Sequence, residues 1–174
     1  MILKSILLIL SLIFNASILF AQNDANALDS VPSNNIYINL LGDASWISVN
    51  YERRFFVRPT YFLTSKIGYG YNEEFQICIW DNICSSNHQY ITVPHHISVN
   101  VGNGRSFLEV GIGGTIIIGH TDQPYLLYPI FGYRLHPLKK NKINFRFFGE
   151  VPFTGLITED IIFFPFGLSL GVSL

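Results

Sequence analysis

The last eleven residues set the strongest constraint on what this chain can fold into. From Phe164 onward Phe164, Phe166, Leu168, Leu170, Val172 and Leu174 alternate with Pro165, Gly167, Ser169, Gly171 and Ser173. Successive side chains of a strand point to opposite faces, so the segment has one greasy side and one small, polar side. The pattern recurs upstream. Ile143, Phe145, Phe147, Val151 and Phe153 alternate with Asn144, Arg146, Phe148 and Glu150. Leu108, Val110, Ile112, Ile116 and Ile118 alternate with Glu109, Gly111, Gly113 and Thr115, and Ile97, Val99 and Val101 with His96, Ser98, Asn100 and Gly102.

Strands are expected near 35–42, 45–54, 60–71, 90–102, 105–119, 125–136, 142–153 and 164–174. Each is close to the length that crosses a bilayer when tilted. The chain is 49% hydrophobic and 15% aromatic but only 13% charged, about half the usual charged share. No stretch beyond the N-terminus is long and apolar enough for a membrane helix. A net charge of −1 gives no electrostatic case for nucleic acid.

Residues 1–21 read as a secretory signal peptide: Lys4, an apolar run from Ile6 to Phe20, then Ala21 at a small-residue cleavage point. Residues 22–34 form a polar N-terminal segment, and 35–174 one barrel domain. Asn103-Gly104 is a hairpin signal. As a two-residue turn it pairs Gly102 with Arg105, which sets Ser98 opposite Glu109, Asn100 opposite Phe107, Val99 opposite Leu108 and Ile97 opposite Val110. The turn and the alternation then agree on sidedness.

Residue type indicates which face looks inward. The polar face carries Gly68, Gly70, Gly111, Gly113, Gly132, Gly167 and Gly171 among charges of both signs: Glu52, Arg54, Lys66, Glu109, Arg134, Arg146 and Glu150. Small residues interleaved with pairable ions suit a crowded lumen better than a water-facing surface. Tyr69, Tyr71, Phe131 and Tyr133 on the greasy face are placed as interfacial girdles near strand ends. The expected fold is therefore all-β, an eight-stranded antiparallel transmembrane β-barrel with a filled polar interior, too narrow for a general porin. The longest connections, 72–89 and 154–163, fall on the side expected to face outward. The first outer turn, Gly42 to Ser45, is short. By strict alternation His95 lies on the lipid face, unless a bulge at Pro94 shifts it.

The segments Ser48-Val49-Asn50-Tyr51-Glu52-Arg53, Phe107-Leu108-Glu109-Val110-Gly111-Ile112-Gly113, Pro129-Ile130-Phe131-Gly132-Tyr133-Arg134 and Gly167-Leu168-Ser169-Leu170-Gly171 resemble, in order, a family of small Gram-negative outer-membrane β-barrels without assigned function. The resemblance implies outer-membrane localisation, contact with outer-membrane lipid, and insertion by the outer-membrane assembly machinery. It implies no catalytic residue. Such chains commonly finish on an aromatic residue, whereas this sequence finishes on Leu174.

Candidate chemistry is sparse. His96, Ser98 and Glu109 alone approximate a Ser–His–acid set, similar to that of lipid A deacylases in membrane barrels. Interior hydrogen bonding accounts for the same residues. The leading expectation is a structural or surface-interacting barrel. The alternatives are a lipid-modifying outer-membrane enzyme and a soluble periplasmic ligand-binding barrel. No cofactor or metal is indicated, because no cysteine or histidine spacing matches a zinc site. Cys78 and Cys84 are the only cysteines; in a secreted chain they read as a disulfide closing a short loop around Trp80. That loop is the candidate surface for an extracellular partner. Intact mass with and without reduction before alkylation checks the bond. Cys78→Ser with Cys84→Ser is expected to leave the barrel folded while raising protease nicking between Asn72 and Gln89.

Overall fold

The computed structural model describes residues 33–58, 60–73, 89–119, 121, 123–136, 142–153 and 163–174. The signal segment 1–21, nearly all of 22–34, and Cys78 and Cys84 lie outside these residues. Eight strands are present: β1 Asn34–Leu40, β2 Ile47–Phe55, β3 Tyr61–Glu73, β4 Gln89–Asn103, β5 Ser106–Ile118, β6 Tyr125–Leu135, β7 Ile143–Glu150 and β8 Phe166–Ser173. Each pairs antiparallel with its neighbours, and β8 pairs with β1 to close the barrel. Closure removes the free edges that a sheet of this greasiness would otherwise expose.

Every ladder holds a single register along its length. Carried once round the barrel, these registers return to β1 displaced by ten residues. That stagger tilts the strands, and for eight strands it leaves a lumen that side chains can fill. No helix among the described residues is long and apolar enough to cross a membrane, which says nothing of strands.

The alternation points outward with its greasy face. Phe166, Leu168, Leu170, Val172 and Leu174 are exposed, Leu170 at 60%, while Gly167, Ser169, Gly171 and Ser173 are buried. The same holds for Ile143, Phe145 and Phe147 of β7, Leu108, Val110 and Ile112 of β5, and Ile97, Val99 and Val101 of β4. Tyr69 and Tyr71 sit near one end of the barrel and Tyr133 near the other; Phe131 is in the middle of β6 rather than at a strand end.

Two local expectations are corrected, and the position of His95, left open between alternation and a bulge, is decided. The β4–β5 turn is Gly104-Arg105, not Asn103-Gly104, since Asn103 pairs with Ser106 and Gly102 with Phe107. Of the two turn residues only Gly104 has a positive φ, +63°, as in the hairpin turn that needs glycine at its first central position. Ser98 therefore opposes Gly111 and Asn100 opposes Glu109. A shift of two residues preserves the face, so sidedness is unchanged. No bulge occurs at Pro94. Pairing between β3 and β4 is interrupted at Val93 and Pro94 and resumes in the same register, because proline supplies no N–H to the ladder. His95 accordingly stays on the outer face, stacked on Tyr125 with Nε2 3.0 Å from the phenol oxygen. Finally, β7 ends at Glu150, and β8 begins at Phe166, just after Pro165.

Small residues let large ones cross the lumen. A Cβ on Gly171 would fall on the Tyr37 ring and 2.6 Å from the Ile36 carbonyl oxygen, at the β8–β1 seam. Gly171→Ala should therefore destabilise the folded barrel by about 1–3 kcal/mol. The denaturant midpoint of refolded protein in detergent measures it.

Candidate functional site in the barrel interior

Inward-facing positions contributed by different strands converge on one another across the lumen. Glu52 on β2 and Arg134 on β6 form a bidentate pair, Nη1–Oε1 2.5 Å and Nη2–Oε2 2.7 Å. Arg134 Nη2 also lies 3.3 Å from Oε2 of Glu109 on β5. Glu109 in turn accepts from Arg146 of β7, at Nε 2.5 Å and Nη2 3.1 Å. The result is an alternating chain, Glu52–Arg134–Glu109–Arg146, that ties four strands together. Its spare lone pairs are taken by neutral donors: Asn35 and Tyr37 donate to Glu52 at 3.0 and 3.1 Å, and Ser98 donates to Glu109 at 2.7 Å. The Arg146 guanidinium stacks 4.1 Å from the centre of the Phe148 ring, and Lys66 approaches that ring at 5.6 Å.

A second polar cluster is built by the β1–β2 connection, which folds into the lumen instead of outward. Leu41, Gly42, Asp43 and Ala44 all have positive φ, 63°, 71°, 55° and 51°. Left-handed backbone costs roughly 1–2 kcal/mol for each residue bearing a Cβ, with aspartate among the more tolerant. The turn is secured by many contacts. Ser45 N donates to Gly42 O at 2.8 Å, Asn72 Nδ2 to Ala44 O at 2.8 Å, and Thr115 Oγ1 to Asp43 O at 2.9 Å. The Ser45 and Thr92 hydroxyls share a hydrogen bond of 2.6 Å.

This turn drives the Asp43 carboxylate, fully buried, onto Lys66 Nζ at 2.8 Å and His96 Nε2 at 2.7 Å. Asn39 donates to its Oδ2. The backbone N–H of Asp43 donates to Glu150 Oε2 at 2.7 Å, so a second carboxylate sits beside the first. Glu150 Oε1 lies 3.8 Å from His96 Nε2. Tyr128, 3.3 Å from the same nitrogen, shares a 2.7 Å bond with Thr115. Beyond this cluster Ala44, Tyr90, Leu126, Tyr128 and Phe163 form an apolar cap. At the opposite end Phe62 and Phe107 pack on each other and on His136.

Among the described residues the buried acids are Asp43, Glu52, Glu109 and Glu150, and the buried Lys and Arg are Arg54, Lys66, Arg134 and Arg146. The formal charges cancel with neutral histidines. Local pairing is less even: Asp43–Lys66, Glu52–Arg134 and Glu109–Arg146 leave Glu150 and Arg54 over. Among the described residues none of the three guanidinium nitrogens of Arg54 has a hydrogen-bond partner, and the guanidinium lies 5.6 Å from the centre of the Phe62 ring.

All seven charges expected inside, Glu52, Arg54, Lys66, Glu109, Arg134, Arg146 and Glu150, point inward. The Ser–His–acid set does not assemble. Ser98 contacts Glu109 and Thr64, whereas His96 turns to Asp43 and Tyr128. Without contact between Ser98 and His96 this set holds no activated nucleophile. Asp43 escaped the sequence reading because alternation says nothing about a turn; the small residues around it, Gly42, Ala44 and Ser45, were the only signal. In comparison with known proteins, the chain matches no family model, no curated protein and no solved structure.

Breaking the ionic chain on one side should be costly. Arg146→Leu leaves Glu109 buried and under-paired, and should destabilise by about 3–5 kcal/mol. Arg146→Leu combined with Glu109→Leu should recover much of that loss. Arg54→Leu, which removes a cation with no acceptor, should be neutral or stabilising. Denaturant unfolding followed by tryptophan fluorescence distinguishes the three.

Proposed function

We propose that this chain is an integral outer-membrane barrel whose role is structural or surface-interacting: a sealed scaffold in lipid that presents its longer connections outside. One observation carries the reading. The barrel is inverted relative to a water-soluble one, with a nearly continuous apolar outer wall and an ionic, hydrogen-bonded interior. An exposed apolar surface of this extent needs a partner, and a lipid phase covers all sides of a cylinder at once. The Trp46–Phe164 edge contact at the rim, 4.8 Å between ring centres, and Tyr71 beside Glu73 suit an interfacial belt.

On this reading residues 1–21 direct export, the assembly machinery inserts the strands, and Cys78 and Cys84 staple the connection that meets an outside partner. The lipid-modifying alternative loses support from the separation of Ser98 and His96. The soluble ligand-binding alternative loses support from a lumen occupied by charges and large side chains rather than by an apolar cavity.

Leu170→Arg discriminates directly. On a surface facing water the change should alter stability by no more than about 0.5 kcal/mol. In a bilayer, near the midplane, it should cost about 2–4 kcal/mol. Unfolding from lipid vesicles reads the difference. The unaltered protein should also fractionate with outer membranes and show heat-dependent electrophoretic mobility; recovery as a detergent-free soluble monomer would overturn the reading.

A further inference from the structure

We propose that Asp43, His96 and Glu150 form a binding site for one divalent transition-metal ion inside the barrel. The three come from different parts of the sequence: the inward-folded β1–β2 turn, β4 and the end of β7. Each offers one ligand atom, the three atoms lie within 4.8 Å of one another, and all three residues are buried. Bonds of about 2.0–2.2 Å to a central ion would need the Asp43–His96 contact to open slightly and the Glu150–His96 gap to close slightly. Both are side-chain adjustments within an existing cluster.

The second observation is Glu150, whose Oε1 has, among the described residues, only the His96 imidazole near it, at 3.8 Å. Its Oε2 is held by the Asp43 N–H, which aims the carboxyl into the cluster. Its Oε1 has no hydrogen-bond partner although Glu150 is fully buried. Buried carboxylates are paired or coordinate metals, and Lys66, the cation of the cluster, is committed to Asp43 Oδ2. A dication placed between Asp43 Oδ1, Glu150 Oε1 and His96 Nε2 satisfies all three at once. Lys66 and Asn39 then act behind Asp43, fixing the orientation of its carboxylate. Tyr128, 3.3 Å from His96 Nε2, lies beside the remaining coordination position. One imidazole with two carboxylates favours zinc, manganese or iron over calcium or magnesium, which take oxygen ligands.

The test refolds the full barrel in detergent with Co²⁺, Zn²⁺ or Mn²⁺ alone. His88, His95 and His120 are replaced by alanine and His136 by glutamine, so that His96 is the one histidine left. Stoichiometric uptake of one ion is expected, with Co²⁺ giving visible absorption. Glu150→Gln and His96→Gln should each weaken binding by at least about tenfold while heat-dependent mobility is retained. Absent uptake, or affinity unchanged in both variants, overturns the proposal. Should the variants fail to fold, pulsed EPR of Mn²⁺ on the barrel with native Asp43, His96 and Glu150 decides the matter. Coupling to one imidazole nitrogen supports the site, and its absence refutes it.

Discussion

The Glu52–Arg134–Glu109–Arg146 chain is the interaction on which the interior depends, because none of its members is tolerable alone. A guanidinium or carboxylate stripped of water and unpaired costs several kcal/mol. Each here has a partner of opposite sign on a different strand, so the four strands β2, β5, β6 and β7 must all be present in register before all four charges are satisfied together. Neutral donors complete the shell. This makes barrel closure cooperative, since a partly closed sheet would hold some of these charges without partners. It also fixes sidedness: a strand slipped by one residue would carry its charge to the apolar wall.

The strand pattern was legible because period two survives errors in register. Misplacing the β4–β5 turn by one residue changed every expected pair, yet Val99 still shares a face with Val110, and Asn100 still faces inward beside Glu109. Alternation alone could not say which face turned outward; glycine among mixed charges could, since a crowded lumen needs both. What stayed illegible was the contribution of the connections. Asp43 completes the interior only through four successive left-handed residues, a path that no hydrophobic pattern encodes. The Ser98–His96 separation was equally hidden, since it follows from Asp43 competing for the imidazole.

The inward turn and the outer wall are physically linked. On the proposed reading of the outer wall as lipid-facing, a short connection at membrane depth could not splay outward with its peptide groups unpaired. Folding the turn inward gives those groups protein partners: Asp43 N meets Glu150, Asp43 O meets Thr115, and Ala44 O meets Asn72. The left-handed backbone is strained, but three such bonds, one of them to a carboxylate and each worth about 0.5–3 kcal/mol, offset a cost of roughly 1–2 kcal/mol for each residue bearing a Cβ.

This arrangement also distributes charge along the barrel. Pairing consumes three acids and three bases, Asp43–Lys66 beside Glu150 and the other two pairs in the ionic chain, and leaves Glu150 toward the longer connections and Arg54 toward the opposite end. Glu150 is anchored through the Asp43 backbone, and Arg54 packs against Phe62.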